Sequence, residues 1–236
     1  MTDKSAFSAD CDLRKLNRDN MTNAKIIKPI EAGHFESKGE IFYTQYPLRE
    51  WAPVKKIQQM IRDNISGKLC SLRFTWQRPK KDATTQSEFL YETLAGLIDV
   101  SWLLADSQLA DLKINRVPDS NNLFALASFA NGIVAEIEMN ECLPDSMPPT
   151  YFVKANFEYG HGTNQPIVGH FNVEGAILAN DAAAHRVVIE NADWDDCGDE
   201  IAICNRKMLQ SIELGRYPSG PLNTQPIVEA IRKECA

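Results

Sequence analysis

The run from Gln86 to Ala105 constrains the fold of this chain more than any other stretch. Its apolar residues recur three or four positions apart, a spacing that predicts one buried face of a helix. These residues are Leu90, Leu94, Leu97, Ile98 and Leu104. Within the run only Gly96 disfavours a helix, at a cost of about 1 kcal/mol relative to alanine. Because a helix this long and apolar must be covered, we expect a sheet or other helices to pack against it.

Two carboxylates on the predicted helix are the first candidates for a functional site. Glu92 and Asp99 are seven residues apart. Since that spacing is close to two helical turns, both side chains share one face. For Asp99 we favour a structural role, in which its carboxylate is hydrogen-bonded to a neighbouring loop.

Charge and composition exclude several classes of protein. The chain has 236 residues and a net charge of −7, which argues against binding to the phosphates of nucleic acids. No apolar run approaches the roughly 20 residues of a membrane span, and the first residues lack the apolar core of a secretory signal. The cysteines are scattered without a C-x-x-C pair, which indicates a reducing cytoplasm. The histidines have no ligand spacing, so we expect no metal site.

The chain alternates between two periodicities. Spacing of three to four predicts helices, and alternation predicts strands. The predicted helices are Pro53 to Asn64, Gln86 to Ala105, Glu200 to Leu214 and Leu222 to Cys235, with Gly67 as the stop after the first. The predicted strands are Glu40 to Tyr46, Lys68 to Gln77, the residues around Leu112 to Arg116, Leu123 to Phe129, Ile133 to Met139 and Tyr151 to Tyr159. Shorter strands are predicted near Ile167 to Val173, Ala176 to Leu178 and His185 to Glu190, and a loop is predicted to begin at Gly160, His161 and Gly162.

The order of these elements predicts an α+β fold, because most strands follow one another without helices between them. We expect a mostly antiparallel open sheet with helices packed on one face. The other face is then either solvated or an oligomer surface. We divide the chain into a polar N-terminal arm, residues 1 to 24, and a single domain, residues 25 to 236.

Four segments resemble a known family. They are YPLREWAPVKKIQQMIRDNISGKLCSLRFTWQRPK, LYETLAGLIDVSWLLAD, the pair GTNQ and VEGAILAND, and ICNRKMLQSIELGRYPSGPLNTQPIVEAIRKEC. From about Glu40 onward the chain resembles the C-terminal domain of the Gfo/Idh/MocA oxidoreductases, which include glucose–fructose oxidoreductase and inositol dehydrogenase. The resemblance implies a glucose–fructose oxidoreductase C-terminal-like fold and descent from NAD(P)-dependent sugar oxidoreductases.

The chain departs from the family pattern in two places. The family's Rossmann domain needs a G-x-G-x-x-G sequence between a strand and a helix, and the chain has none. We therefore expect no bound cofactor, with NAD(P) present only if a partner subunit supplies that domain. The family's helix reads D-x-G-x-H-x-I-D, and aligned on Ile98 and Asp99 this chain has Gly96 in the place of the histidine. Hydride transfer from an alcohol needs a base for the hydroxyl proton, and glycine cannot serve.

Three hypotheses follow. The leading one is a stand-alone, non-catalytic relative of the family's substrate and oligomerisation domain, which forms a homodimer or higher homo-oligomer through the open sheet face or partners a full-length dehydrogenase. The second is a sugar or polyol binding protein that has kept the old substrate face. Its candidate ligand-binding residues are Arg73, Gln77, Tyr91, Glu92, Asp99 and, from a Lys-Pro match to the family, Lys28. The third is an oxidoreductase subunit completed by a separately encoded Rossmann subunit.

Overall fold

The computed structural model describes the elements on which the fold rests. The described residues are 24–27, 41–44, 47–79, 86–118, 120, 122–165, 177–180, 186–189 and 225–235. The predicted helix from Glu200 to Leu214, the predicted strand near Ile167, residues 1–23 of the N-terminal arm and Lys28 lie outside these ranges.

An eight-stranded sheet forms the centre of the described structure. Its strands are β3 (Leu69–Pro79), β4 (Leu109–Arg116), β5 (Leu123–Phe129), β6 (Val134–Leu143), β7 (Thr150–Phe157), β8 (His161–Thr163), β9 (Ile177–Asn180) and β10 (Arg186–Ile189). Their order across the sheet is β10-β9-β8-β7-β3-β6-β5-β4. β3 and β6 run parallel, and the other neighbouring pairs run antiparallel.

Helices pack on one face of this sheet. They are α1 (Ala52–Arg62), α2 (Gln86–Ala105) and α3 (Gln225–Cys235). α2 contacts β3, β5 and β6, while α3 contacts both β4 and α2. The strands alternate accordingly: on β5, Leu123, Ala125, Ala127 and Phe129 are buried towards the helices, and the residues between them are more exposed. This confirms the expected α+β class, a mostly antiparallel open sheet with helices on one face.

α2 spans the predicted run, from Gln86 to Ala105. Leu94, Leu97, Ile98 and Leu104 are buried, as their spacing predicts. The helix packs between the sheet on one side and α1 and α3 on the others. None of the helices in the part of the chain described here is long and apolar enough to cross a membrane.

Two local predictions were wrong. The residues from His161 form a short strand, β8, rather than a loop, because they pair with β7 on one side and β9 on the other. α1 ends at Arg62, two residues before the predicted end at Asn64, and Gly67 is not the residue that stops it. Asn64 adopts a φ of 49°, its N–H donates to the carbonyl of Ile61, and the N–H of Ile65 donates to that of Met60. These two bonds form a Schellman motif, in which asparagine takes the left-handed position that glycine usually holds.

A second, two-stranded sheet precedes these elements. β1 (Ala24–Ile27) and β2 (Ile41–Thr44) pair in parallel. Parallel strands need a crossover of a dozen or more residues, and the 13 residues from 28 to 40 satisfy that requirement. A 3-10 turn, Pro47–Glu50, then leads into α1.

Candidate functional site

The carboxylate face of α2 lies against the 3-10 turn that precedes α1. Glu92, Gly96 and Asp99 lie along one stripe of the helix, since their spacings are four and three residues. The turn residue Leu48 approaches this stripe at its middle: a Cβ atom built at Gly96 would lie 3.1 Å from Leu48 Cδ1. The space that a side chain at position 96 would enter is therefore already occupied by Leu48.

Asp99 is held by the next residue of the same turn. Arg49 donates from Nε to Asp99 Oδ2 at 2.7 Å and from Nη2 to Oδ1 at 2.6 Å. This is a bidentate pair, in which both carboxylate oxygens receive a charged donor. The side chain of Asp99 is 3% exposed and that of Arg49 is 25% exposed. Asp99 therefore has the structural role expected from the sequence, with Arg49 of a neighbouring turn as its partner.

Burial dominates the titration of Asp99. Removal of its carboxyl from water raises the pKa of Asp99, and the hydrogen bonds and positive charge of Arg49 offset only part of that rise. The net direction is upward. The charged form of Asp99 is consequently stabilised by Arg49, and their ion pair links the 3-10 turn to α2.

These contacts leave the described stripe without an acid/base group at its centre. Leu48 covers Gly96, and Arg49 engages both oxygens of Asp99. Tyr91 and Glu92 are half-buried one to two turns nearer the N-terminus of α2. Glu92, the other carboxylate of this stripe, is thus about two turns from Asp99 along the helix.

Arg73 and Gln77 lie on the other side of the sheet. On β3 the buried residues Leu72 and Phe74 face the helices, so Arg73 and Gln77 face away from α2. Arg73 Nε donates to Glu136 Oε2 of β6 at 2.6 Å, and Gln77 Oε1 accepts from the hydroxyl of Thr150 at 3.3 Å. The structure therefore divides those sequence candidates that it describes into two groups, one on the open face of the sheet and one on α2.

A polar and aromatic cluster that the sequence analysis did not single out lies at the end of β3. Arg78 donates from Nε to Glu141 Oε1 of β6 at 2.5 Å, and both side chains are buried. Beside them Trp76 and Tyr151 pack ring to ring with centroids 3.8 Å apart. Burial raises the pKa of Tyr151, and the charge of Arg78 offsets part of that rise. Trp76 Nε1 is buried and has no hydrogen-bond partner among the residues that the structure describes.

Alternation along β3 was the one signal that could have found this cluster. It places Trp76 and Arg78 on the same face as Leu72 and Phe74. No sequence pattern pairs Arg78 with Glu141, which is 63 residues away. Among the described residues, no three His, Cys, Asp or Glu side chains come together in a way that could hold a metal ion.

Comparison with known proteins finds likeness in structure alone. No family model matches the sequence, and no curated protein matches it. An oxidoreductase from Agrobacterium radiobacter, solved in complex with NAD+, L-tartaric acid and magnesium, matches with a TM-score of 0.63 and 11% identity over 98% of this chain and 68% of that one. A dehydrogenase from Chromobacterium violaceum matches with a TM-score of 0.65 and 14% identity over 83% of this chain and 60% of that one.

A third solved structure extends the likeness to a sugar-nucleotide enzyme. It is a UDP-N-acetylglucosamine 3-dehydrogenase from Acidithiobacillus ferrooxidans, with a TM-score of 0.63 and 12% identity over 83% of this chain and 62% of that one. The chain thus spans between 60% and 68% of the length of these three proteins. At such identities the likeness establishes the fold: the described chain has the architecture of part of these oxidoreductases.

Proposed function

We propose that this chain is a non-catalytic relative of the substrate and oligomerisation domain of NAD(P)-dependent sugar oxidoreductases. In this proposal it acts in the cytoplasm through association of its open sheet face, with a second copy of itself or with a full-length dehydrogenase. The shared fold with solved dehydrogenases supports the ancestry. The exposed free thiols of Cys70 and Cys142 are consistent with a reducing compartment.

The observation that carries the proposal is that Leu48 and Arg49 contact the stripe of α2 formed by Glu92, Gly96 and Asp99. The family that this chain resembles has a histidine at the position of Gly96, and in this chain Leu48 fills the space beside that glycine. Neighbouring Asp99 is engaged at both oxygens by Arg49. A general base must reach within hydrogen-bond distance of the proton that it takes. The described stripe has no such group at position 96, and the Leu48 side chain lies beside that position.

The open sheet face supports the association. It combines ion-paired and apolar side chains, since Arg73 and Glu136 lie on the same face as Phe124, which is 45% exposed, and the half-buried Leu126 and Phe152. Apolar groups of this kind on an open sheet face are more typical of an interface than of a fully solvated surface.

Titration with nicotinamide cofactors tests the non-catalytic assignment. A ligand that binds only the folded state raises the melting temperature. If the chain binds no nicotinamide cofactor, its melting temperature should stay constant when NAD+, NADH, NADP+ or NADPH is added. Saturable stabilisation by any of the four would contradict the proposal. Sedimentation equilibrium should give a mass above that of one chain and so test the association.

One observation favours a second candidate, a dehydrogenase subunit completed by an NAD(P)-binding Rossmann unit. β1 and β2 pair in parallel, and parallel sheets are almost always larger and covered on both faces. The match to the NAD+-bound oxidoreductase covers 98% of this chain, so it includes this strand pair. In this candidate the pair is the edge of a larger parallel sheet.

A reconstitution experiment tests the second candidate. If a Rossmann unit is encoded beside this chain, the two should co-purify and together reduce NAD+ in the presence of a sugar or polyol. Co-purification with no reduction across a panel of sugars would favour the non-catalytic role. Reduction by the mixture and by neither protein alone would establish the second candidate.

A further inference from the structure

We infer a specific register for self-association: two copies face each other across a two-fold axis that runs parallel to the strands and passes between β3 and β6. This inference rests on the proposed function, in that it assumes a second copy on the open face. The register specifies which residues of the two copies face each other. The register follows from the order of the charges and the aromatic rings across the sheet.

Strand pairing places the side chains of the open face in rows that cross the sheet. One row is charged at its centre and consists, in order from β4 to β7, of Lys113, Leu126, Glu136, Arg73 and Lys154. The next row carries two aromatic rings and consists of Asn115, Phe124, Glu138, Thr75 and Phe152. In each row the acidic residue belongs to β6, and in the charged row the central basic residue belongs to β3.

Rotation about a two-fold axis between β3 and β6 sets each row against the same row of the second copy, with the order of its residues reversed. It places β6 of one copy over β3 of the other, so Glu136 faces Arg73 of the second copy. In the aromatic row it places β5 over β7, so Phe124 faces Phe152 of the second copy. Packed sheets are rotated by about 30° relative to each other, and residues next to the axis are displaced least by that rotation. Glu136 and Arg73 are the pair that straddles this axis.

Other axes place like groups together. An axis along β6 would set Glu136 against Glu136 of the second copy. An axis perpendicular to the strands, between the two rows, would set Glu136 against Glu138. Like charges that face each other across an interface are strongly unfavourable. The charge order therefore selects the axis between β3 and β6.

The ion pair of Arg73 and Glu136 within each copy also favours the axis between β3 and β6. Arg73 Nε already lies 2.6 Å from Glu136 Oε2 of the same copy. In the inferred register two such pairs form an alternating set of four charges, in which each guanidinium borders two carboxylates. Arginine suits this position, because its planar group offers donors in more than one direction.

Charge reversal in two separately prepared chains tests the register. Glu136→Arg alone sets two arginines against each other across the axis, and Arg73→Glu alone sets two glutamates together. Each variant should self-associate at least about tenfold more weakly than the original chain. An equimolar mixture of the two should regain affinity to within about threefold, since every contact across the axis is then between opposite charges.

The mixture isolates the contact between copies. Within each variant the internal pair stays broken, so recovery on mixing cannot come from repair of a chain's own ion pair. Arg62→Glu is the matched control, because Arg62 pairs with Asp63 at the exposed end of α1 and lies off the sheet. This control should leave the dissociation constant unchanged. Sedimentation equilibrium measures all of these samples, and circular dichroism checks that each variant is folded.

The outcomes separate the register from the proposed function. If the original chain dimerises but the two variants associate normally, or both weaken and mixing restores nothing, the register is overturned while self-association stands. If the original chain is monomeric at every concentration, self-association itself fails. Should either variant not fold, Arg73→Gln and Glu136→Gln replace the pair. Each should weaken the dimer less than charge reversal does, and unchanged affinity in both would again overturn the register.

Discussion

At the scale of single residues, Gly96 is the unusual position of α2. A glycine in the middle of a helix costs about 1 kcal/mol relative to alanine, so its presence needs a reason. Leu48 supplies one, since it lies where a side chain at position 96 would begin. The glycine is therefore explained by the packing of the turn onto the helix.

Introducing a histidine at position 96 should destabilise the protein. In Gly96→His the imidazole must displace Leu48, and overpacking of this kind costs about 1–3 kcal/mol. Gly96→Ala should be nearly neutral, because the gain in helix propensity offsets a small shift of the Leu48 side chain. In Gly96→His combined with Leu48→Ala, the loss should be smaller than the sum of the two single losses. Urea unfolding measures all four variants, and strict additivity would contradict the contact.

Arg49→Met should destabilise the protein by about 3–5 kcal/mol at neutral pH, because it leaves the buried Asp99 carboxylate without its partner. Arg62→Met is the matched control: its partner, Asp63, is exposed, so the loss should be well under 1 kcal/mol. Urea unfolding of both variants checks the difference. A loss for Arg49→Met no greater than for the control would contradict a stabilising role for the pair.

The loss in Arg49→Met should also depend on pH in a defined direction. Burial raises the pKa of Asp99 in the folded protein above its value in the unfolded chain. Between those two values unfolding releases a proton, so the contribution of this group to stability falls as the pH rises. Removal of Arg49 raises the folded pKa further and widens that window. The difference between Arg49→Met and the original chain should therefore be smaller at pH 5 than at pH 7.5, and a difference that grows towards acid would contradict this account.

At the scale of elements, the parallel pair β3 and β6 is joined at its end by the buried ion pair of Arg78 and Glu141. Removing one partner of such a pair strands a charge in the interior, whereas replacing both with apolar groups is often neutral. Arg78→Met alone and Glu141→Leu alone should each cost about 3–5 kcal/mol. The double variant should lose much less than either single variant, as measured by chemical denaturation. A double variant as unstable as the sum of the singles would show that the two side chains act independently.

Local periodicity explains why some elements were predictable and others were not. The bounds of α2 follow from apolar spacing within the segment, and β6 follows from the alternation between Ile133 and Met139, so neither needs distant information. The residue that stops α1 was mispredicted, because Asn64 rather than a glycine takes the left-handed position after the helix. β8 was missed because three residues, one of them glycine, become a strand only by pairing with neighbours on both sides.

The candidate site was less predictable than the fold for the same reason. That Asp99 is structural could be anticipated, but Arg49 is 50 residues away and no local pattern connects the two. Arg73 and Gln77 were grouped with the α2 residues because the sequence does not give the side of the sheet on which a helix packs. The alternation of β3 defines two faces, and the burial of Leu72 and Phe74 then assigns Arg73 to the open one.

At the scale of the whole molecule, the two faces of the sheet have different characters. The helix face is closed by tight contacts around α2, while the open face combines ion pairs with partly exposed apolar side chains. Binding energy at an interface usually comes from a few large apolar or aromatic side chains near its centre. On the open face Phe124 is the exposed member of that class among the described residues.

Phe124→Lys should therefore weaken self-association by at least about tenfold without loss of stability, since aromatic anchors at interfaces typically contribute about 2 kcal/mol or more. Met147→Lys is the matched control: Met147 is also 45% exposed and lies in the loop between β6 and β7 rather than on a strand, so the same gain of charge there should change association little. Sedimentation equilibrium at one salt concentration compares the two variants, and thermal unfolding confirms that both are folded. Equal weakening by both variants would mean that net charge governs association, and unaltered association in Phe124→Lys would place the contact surface elsewhere.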